Sequence, residues 1–289
     1  MTKKVFGRIV PEFSQCNDFF YNGIPPRGIK GDYKLICQQY KNKYRFATLY
    51  SPISCAPLYS AYKVSRSDAP RPKDEEWMYE PQLIDERRSA EMQPIENIKV
   101  EYNNQASLSD YQGSIYTKGH LAPSQHLETK EDKESTFTLT NVVPQREGSN
   151  NGQWATWEKE ILNIKNRCTG DMYVITGGIP FIPPKKMNDK VSVPEYMWSA
   201  YCCKDFQNNA GNLHFPTYAA VGRNDPNSPE DIVKKDCSLS NNEVHYCVAK
   251  MSLKNLEEIL QKRLNTKITL FDGDCQASSV LNKPTKLNS

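Results

Sequence analysis

Tyr116–His126 reads YTKGHLAPSQH and Thr136–Glu158 reads TFTLTNVVPQREGSNNGQWATWE, with a short polar run between them. His120 stands on a turn of small residues, after Lys118 and Gly119 and before Leu121, Ala122 and Pro123. Asn141 and Asn150 are nine residues apart, and Glu158 follows eight residues after the second. Thr136–Val143 is β-branched and aromatic with partial alternation, which predicts a strand. After Pro144, turn residues Glu147, Gly148, Ser149 and Asn150 lead to Trp154, Trp157, Ile161 and Ile164, at spacings of three and four. That stripe predicts a helix from about Asn151 to Asn166 with Asn150 as its N-cap.

Each of these residues has an ordinary use when taken alone. A lone histidine is usually a core or surface residue, Asn150 caps a helix, Glu158 faces solvent, and Asn141 closes a strand-to-loop hydrogen bond. Together they suit only a few chemistries, of which metal-assisted phosphodiester hydrolysis is the leading one. Gly119 before His120 lets a phosphate approach closely, and an imidazole can take a proton from water. The side-chain oxygen of Asn150 can ligate a hard cation such as Mg2+, which accepts few protein ligands and keeps several waters. Capping and ligation compete for that same oxygen. Glu158, about two turns later and on roughly the same side as Asn150, can orient a water on such a cation. Asn141 can hold the geometry or a scissile phosphate oxygen. Metal-assisted phosphodiester hydrolysis uses all four.

At these residues the chain resembles the DNA/RNA non-specific endonucleases with a ββα-metal (His-Me) finger. The family pattern runs D-R-G-H, then N-x-x-P-Q, then N-x-G-x-W-x-x-x-E. Here stand Thr117-Lys118-Gly119-His120, Asn141-Val142-Val143-Pro144-Gln145, and Asn150-Asn151-Gly152-Gln153-Trp154 with Glu158, at matching spacings. The cysteine-rich start is similar to a vertebrate branch of that family, and the resemblance runs from about Phe13 to Cys275. It implies His120 as general base, Asn150 as the ligand of one Mg2+ (or Mn2+), Lys118 on a phosphate, and Asn141 and Glu158 in support. It also implies a DNA or RNA backbone as partner, and products with 5′-phosphate and 3′-hydroxyl ends. Two departures weaken the match. Thr117 removes the family's aspartate, and Lys118 keeps the arginine's charge without its bidentate fork. The competing expectation is a catalytically weakened or inactive homologue, kept as a secreted nucleic-acid-binding or host-defence interaction protein. A cysteine hydrolase is disfavoured, because no cysteine lies in a nucleophile motif and disulfides would consume most thiols.

The remaining sequence sets wider bounds. With 289 residues and no Gly/Ser linker or repeat, one compact domain is expected, with its core at about 13–275 and a flexible tail at 276–289. Arg66–Asp74, with Pro70 and Pro72, is a second loose segment. A net charge of +3 is too mild to argue for nucleic acid by itself. Nine cysteines without a CxxC pair point to disulfides in an oxidising compartment. Adjacent Cys202 and Cys203 are expected to take separate partners, and the odd total leaves one thiol over. No segment approaches the roughly 20 apolar residues of a membrane span. The stretch MTKKVFGRIVPEFSQC lacks the apolar run of a signal peptide, so the expectation is a mature secreted chain preceded by an initiator methionine.

Tyr44–Tyr62 reads as a hairpin or two adjacent strands, and Asp171–Gly178, Val191–Cys202 and His214–Val221 as further strands. Ser252–Leu264 has amphipathic helix spacing. Trp77–Met92, heavily charged, reads as a surface segment. Strands and helices mix without regular alternation, so the fold class is α+β; the resemblance implies a mixed or antiparallel central sheet flanked by helices, carrying a ββα-metal finger. His126 is close enough to the motif to approach the substrate but is expected on a surface loop; His214 and His245 are expected in structural strand positions; Arg45 and Arg223, candidates for the nucleic-acid backbone, are expected to be ordinary surface charges.

Overall fold

The computed structural model describes residues 9–65, 69–97, 102–204, 206–207, 213–214, 217–235, 237, 245–273 and 275. The expected tail at 276–289, and residues 66–68 of the expected loose segment, lie outside them. The strands that matter for the site are β1 (Ile9–Val10), β2 (Lys34–Tyr40), β3 (Lys43–Ser51), β4 (Ala56–Lys63), β5 (Tyr116–His120), β6 (Val142–Arg146), β7 (Met172–Pro180), β8 (Pro194–Cys203), β9 (Thr217–Arg223) and β10 (Val248–Met251). Two helices pack on them, α1 (Gln153–Lys165) and α2 (Leu253–Leu264). Among the described residues β1-β2-β3-β4-β7-β8-β9-β10 form one sheet, with every pairing antiparallel. The class is α+β, as expected.

Both faces of this sheet are covered, which explains why its strands read as apolar runs and not as clean alternation. On β8, Tyr196, Trp198, Ala200 and Cys202 face a core closed by Leu253, Leu256 and Leu260 of α2. Met197, Tyr201 and Cys203 face the opposite core, closed by Trp154, Trp157 and Ile161 of α1. Strand period two therefore sends the adjacent cysteines apart: Cys203 pairs with Cys168 beyond α1, and Cys202 with Cys275 beyond α2. Cys16–Cys37 and Cys237–Cys247 complete the disulfides, and Cys55 is the free, buried thiol.

The Tyr44–Tyr62 hairpin (β3–β4) and the Ser252-capped α2 match the reading of the sequence. Three elements differ. Within Thr136–Val143 only Val142 and Val143 are strand; Leu139–Asn141 is a 3-10 turn. The β-branched side chains there are spent inward, with Thr138 and Thr140 hydroxyls donating to Glu80 Oε1 at 3.2 and 3.3 Å. Trp77–Met92 is no surface run: Met78, Tyr79, Glu80, Leu83 and Met92 are buried. The last helix of the motif begins at Gln153 with Gly152 as its N-cap, and Asn150 closes a separate helical turn, Glu147–Asn150.

Candidate active site

β5 and β6 pair as a two-stranded ribbon with Tyr116 opposite Arg146, Thr117 opposite Gln145, Lys118 opposite Pro144, Gly119 opposite Val143 and His120 opposite Val142. The turn Glu147–Asn150 and then α1 follow directly, so the chain builds two strands and a helix in succession. Gly119 is required by this packing. A Cβ there would lie 2.6 Å from Gln145 Cβ, inside a side chain that donates from Nε2 to Ser149 Oγ at 2.9 Å.

Asn141 is fully buried and every polar atom of its side chain is used. Oδ1 accepts from Ser60 Oγ (2.9 Å) and the Ala122 N–H (3.0 Å). Nδ2 donates to the carbonyls of Ala122 and Thr136, both at 3.0 Å. Its own carbonyl accepts from the Leu121 N–H at 2.9 Å. Asn141 thus clamps the turn that leaves His120 and roots it in the sheet. Ser60 belongs to a row of hydroxyls in cross-strand register, Thr48, Ser60, Thr176 and Ser199. Gln38 Nε2 ties that row to Thr140 at 2.9 Å.

The His120 ring lies against Phe137 edge-on at 5.1 Å between centroids and against Trp77 at 5.7 Å. Its Nε2 is enclosed and, among the described residues, has no hydrogen-bond partner. Burial first, then the charges of Arg71 and Lys118, hold the imidazole down at about 3, so it is neutral at physiological pH. Lys118 Nζ sits 4.8 Å from the Trp77 centroid and 5.8 Å from that of Tyr111. The Arg71 guanidinium lies 5.3 Å over Phe137 and pairs with Glu75 at 2.5 Å.

Asn150 meets Thr117: its Nδ2 donates to Thr117 Oγ1 at 3.0 Å, and that hydroxyl donates to the Gln145 carbonyl at 2.9 Å. Glu158 is half-buried, accepts from Gln125 Nε2 at 3.1 Å, and is pushed up to about 8 by burial against the opposing effects of Gln125, Arg71 and Lys159. Because Asn150 lies outside α1, the expected helical alignment of Asn150 with Glu158 does not hold.

Other expectations are corrected here. His126 is fully buried, not on a surface loop: Nδ1 meets the Tyr62 hydroxyl and Nε2 the Glu158 carbonyl, each at 3.0 Å, and burial depresses it to about 4. Arg45 and Arg223 are not surface charges. Arg45 pairs with Asp132 at 2.7 Å, and Arg223 donates to the carbonyls of Val233 (2.7 Å), Pro229 (3.0 Å) and His245 (3.2 Å). His214 lies in a short strand, whereas His245 is exposed in a turn. The sequence reading missed Arg71, Trp77, Phe137 and Gln125. Trp77 had a usable signal, as a large aromatic with Met78 and Tyr79 inside a charged run; the others had none.

A sequence model of the DNA/RNA non-specific endonuclease family matches residues 28–273. The chain belongs to that family. Among non-specific endonucleases and their relatives, it is 35% identical over 211 residues to "Endonuclease domain-containing 1 protein" of Homo sapiens, covering 68% of this chain and 41% of that protein. It is 32% identical over 205 residues to the Mus musculus protein of the same name, covering 66% of this chain and 39% of that protein. The chain thus spans about two fifths of the length of these two relatives. It is 28% identical over 149 residues to "Endonuclease G, mitochondrial" of Homo sapiens, covering 47% of each. A chain of the crystal structure of the EndoG/EndoGI complex superposes with a TM-score of 0.52 at 15% identity over 91% of both chains, which establishes the shared fold.

Proposed function

We propose that this member of the non-specific endonuclease family is a Mg2+-dependent endonuclease that hydrolyses phosphodiester bonds of a DNA or RNA backbone in an oxidising, extracellular compartment. One observation carries the reading. On the ββα finger, a neutral imidazole with an unpartnered, enclosed Nε2 lies beside two cations, Arg71 and Lys118, while Asn150 is steered by Thr117. An enclosed nitrogen without a partner is costly, and a water to be deprotonated is a partner that suits it.

The residues fit a divalent cation of one kind. Asn150 turns its amide nitrogen to Thr117, leaving Oδ1 as a neutral oxygen donor. Among the described residues no group of three or more His, Cys, Asp or Glu forms a cage. A small, hard cation that retains most of its water needs no cage. When bound, it supplies positive charge to the phosphate and the leaving oxygen.

His120 Nε2 accepts the proton of the attacking water, with Trp77 and Phe137 fixing the ring. Arg71, exposed over Phe137, and Lys118 supply positive charge for a phosphate oxygen. Asn141 holds the turn after His120, and Glu158 holds the helix side of the site through Gln125. Thr117 in place of a carboxylate lowers turnover without abolishing it. Four disulfides support the compartment, and among the described residues no helix is long and apolar enough to cross a membrane.

Plasmid nicking tests the reading with wild type, Mg2+, EDTA and His120→Ala. Cleavage should require Mg2+ and be lost in the variant. Cleavage that survives both EDTA and the substitution, or DNA binding with no cleavage at all, would refute it.

A further inference from the structure

We infer that Arg146, with Lys185 beside it, forms a second phosphate site that grips the nucleic-acid backbone away from the bond attacked at His120. The inference rests on the nuclease reading for the nature of the polyanion, and it adds where the strand runs.

On β5 every second side chain shares a side, which lines up Tyr116, Lys118 and His120. Arg146 stands directly opposite Tyr116 in the ribbon. Its guanidinium lies 5.3 Å over the Tyr116 ring, and Lys185 Nζ lies 5.9 Å from the same ring and 5.2 Å from Phe181. Lys118 is mounted in the same way on Trp77. The finger therefore carries a row of cations on aromatic plates, running from the His120 end to the Tyr116 end. Four residues of strand separate those ends by roughly 13 Å, more than one nucleotide step.

Arg146 is poorly satisfied within the protein. Among the described residues neither Arg146 nor Lys118 lies within ion-pair distance of a carboxylate, and the enclosed Arg146 Nε has no acceptor. Lys185 has one acid neighbour, Asp225 at 3.5 Å. A ring face offsets only part of the cost of leaving a charged donor unpaired. The Arg146 backbone is pinned by its N–H to Asn224 Oδ1 at 2.8 Å, so the guanidinium projects from a fixed root. A planar fork with an unfilled donor, at the end of a cationic row that begins at the catalytic histidine, suits a phosphate of the same strand. Such contacts place the backbone without reading bases.

Fluorescence anisotropy with labelled single-stranded oligonucleotides in EDTA, across a salt series, tests this without turnover. Arg146→Ala should reduce the magnitude of the slope of log affinity against log salt by about 0.7, the single-strand value for one phosphate contact, and weaken several base sequences equally. Arg146→Lys should keep the slope, and Lys185→Gln should reduce its magnitude, which separates charge loss from misfolding. Unchanged slopes in Arg146→Ala and Lys185→Gln, or a wild type that does not bind, would overturn the inference. Failure of the two readings is distinguishable: binding with the expected slopes but no Mg2+-dependent nicking sinks the nuclease, whereas nicking with unchanged slopes sinks only the second site.

Discussion

The Asn150 amide donates to the Thr117 hydroxyl at 3.0 Å, so the residue that replaces the family's aspartate orients the proposed metal ligand. Thr117→Val keeps the shape and removes the acceptor. Removing a supporting contact of this kind costs about 10–100-fold in metal affinity or activity. The Mg2+ concentration for half-maximal nicking should rise by that order. The converse exchange, Thr117→Asp with Lys118→Arg, should increase cleavage. No gain there would mean that the two departures do not limit turnover.

Arg71 and Lys118 both disfavour a charged His120, after burial has done most of the work. A base held at about 3 stays neutral far below the usual histidine range. The pH profile of kcat/KM should therefore show no acid limb centred near about 6.5. In Arg71→Gln one opposing cation is gone, so the imidazole titrates higher and the acid limb moves to higher pH. A wild-type limb at the unperturbed histidine value, or an unmoved limb in the variant, would contradict this arrangement.

The motif was legible because its residues lie close together in sequence, where spacing translates directly into strand, turn and helix. The separate partners of Cys202 and Cys203 were legible for a similar reason, since the geometry that keeps neighbouring cysteines from bridging each other is local. Burial of charge was not. Arg45 meets Asp132 across 87 residues, and Tyr62 meets His126 across 64, and neither pairing leaves a periodic trace. Asn150 read as a cap because the break at Gly152 is a backbone event, with φ −101° and ψ −123°, that composition does not announce. Thr136–Val143 read as a strand because β-branched residues favour pleated surfaces; here their hydroxyls serve Glu80 instead.

Glu80 is buried, and desolvation raises it to about 7 against the lowering donations of Thr138 and Thr140. The folded state therefore holds a proton between about 4.5 and about 7 that the unfolded chain has released. The resulting stability is full at acid pH and is lost as pH rises through that window. Glu80→Gln has the same shape and does not titrate. The Tm of wild type relative to Glu80→Gln should fall between about pH 4.5 and about 7 and level off above, as read by thermal melts at constant salt. A difference independent of pH would mean that Glu80 is ionised throughout.

Gly119→Ala should break the finger from within, because the added methyl group would have to displace the Gln145 side chain and its bond to Ser149. Overpacking of this kind costs about 1–3 kcal/mol. Cleavage should fall further than the melting temperature does, since the displaced β5–β6 ribbon carries His120 and abuts Asn150. Equal wild-type activity in Gly119→Ala would show that the ribbon tolerates a wider spacing than its packing indicates.

Eight cysteines pair and Cys55 alone is free, its thiol donating to the carbonyls of Asn103 (3.1 Å) and Pro52 (3.5 Å) and raised above its ordinary range by burial. A buried, protonated thiol is a poor nucleophile. Thiol titration of the folded, unreduced protein should therefore find none. In denaturant without reductant it should find one, and none in Cys55→Ala. Three or more thiols in denaturant would mean that at least one disulfide is absent from the protein in solution, and would remove the strongest support for an oxidising compartment.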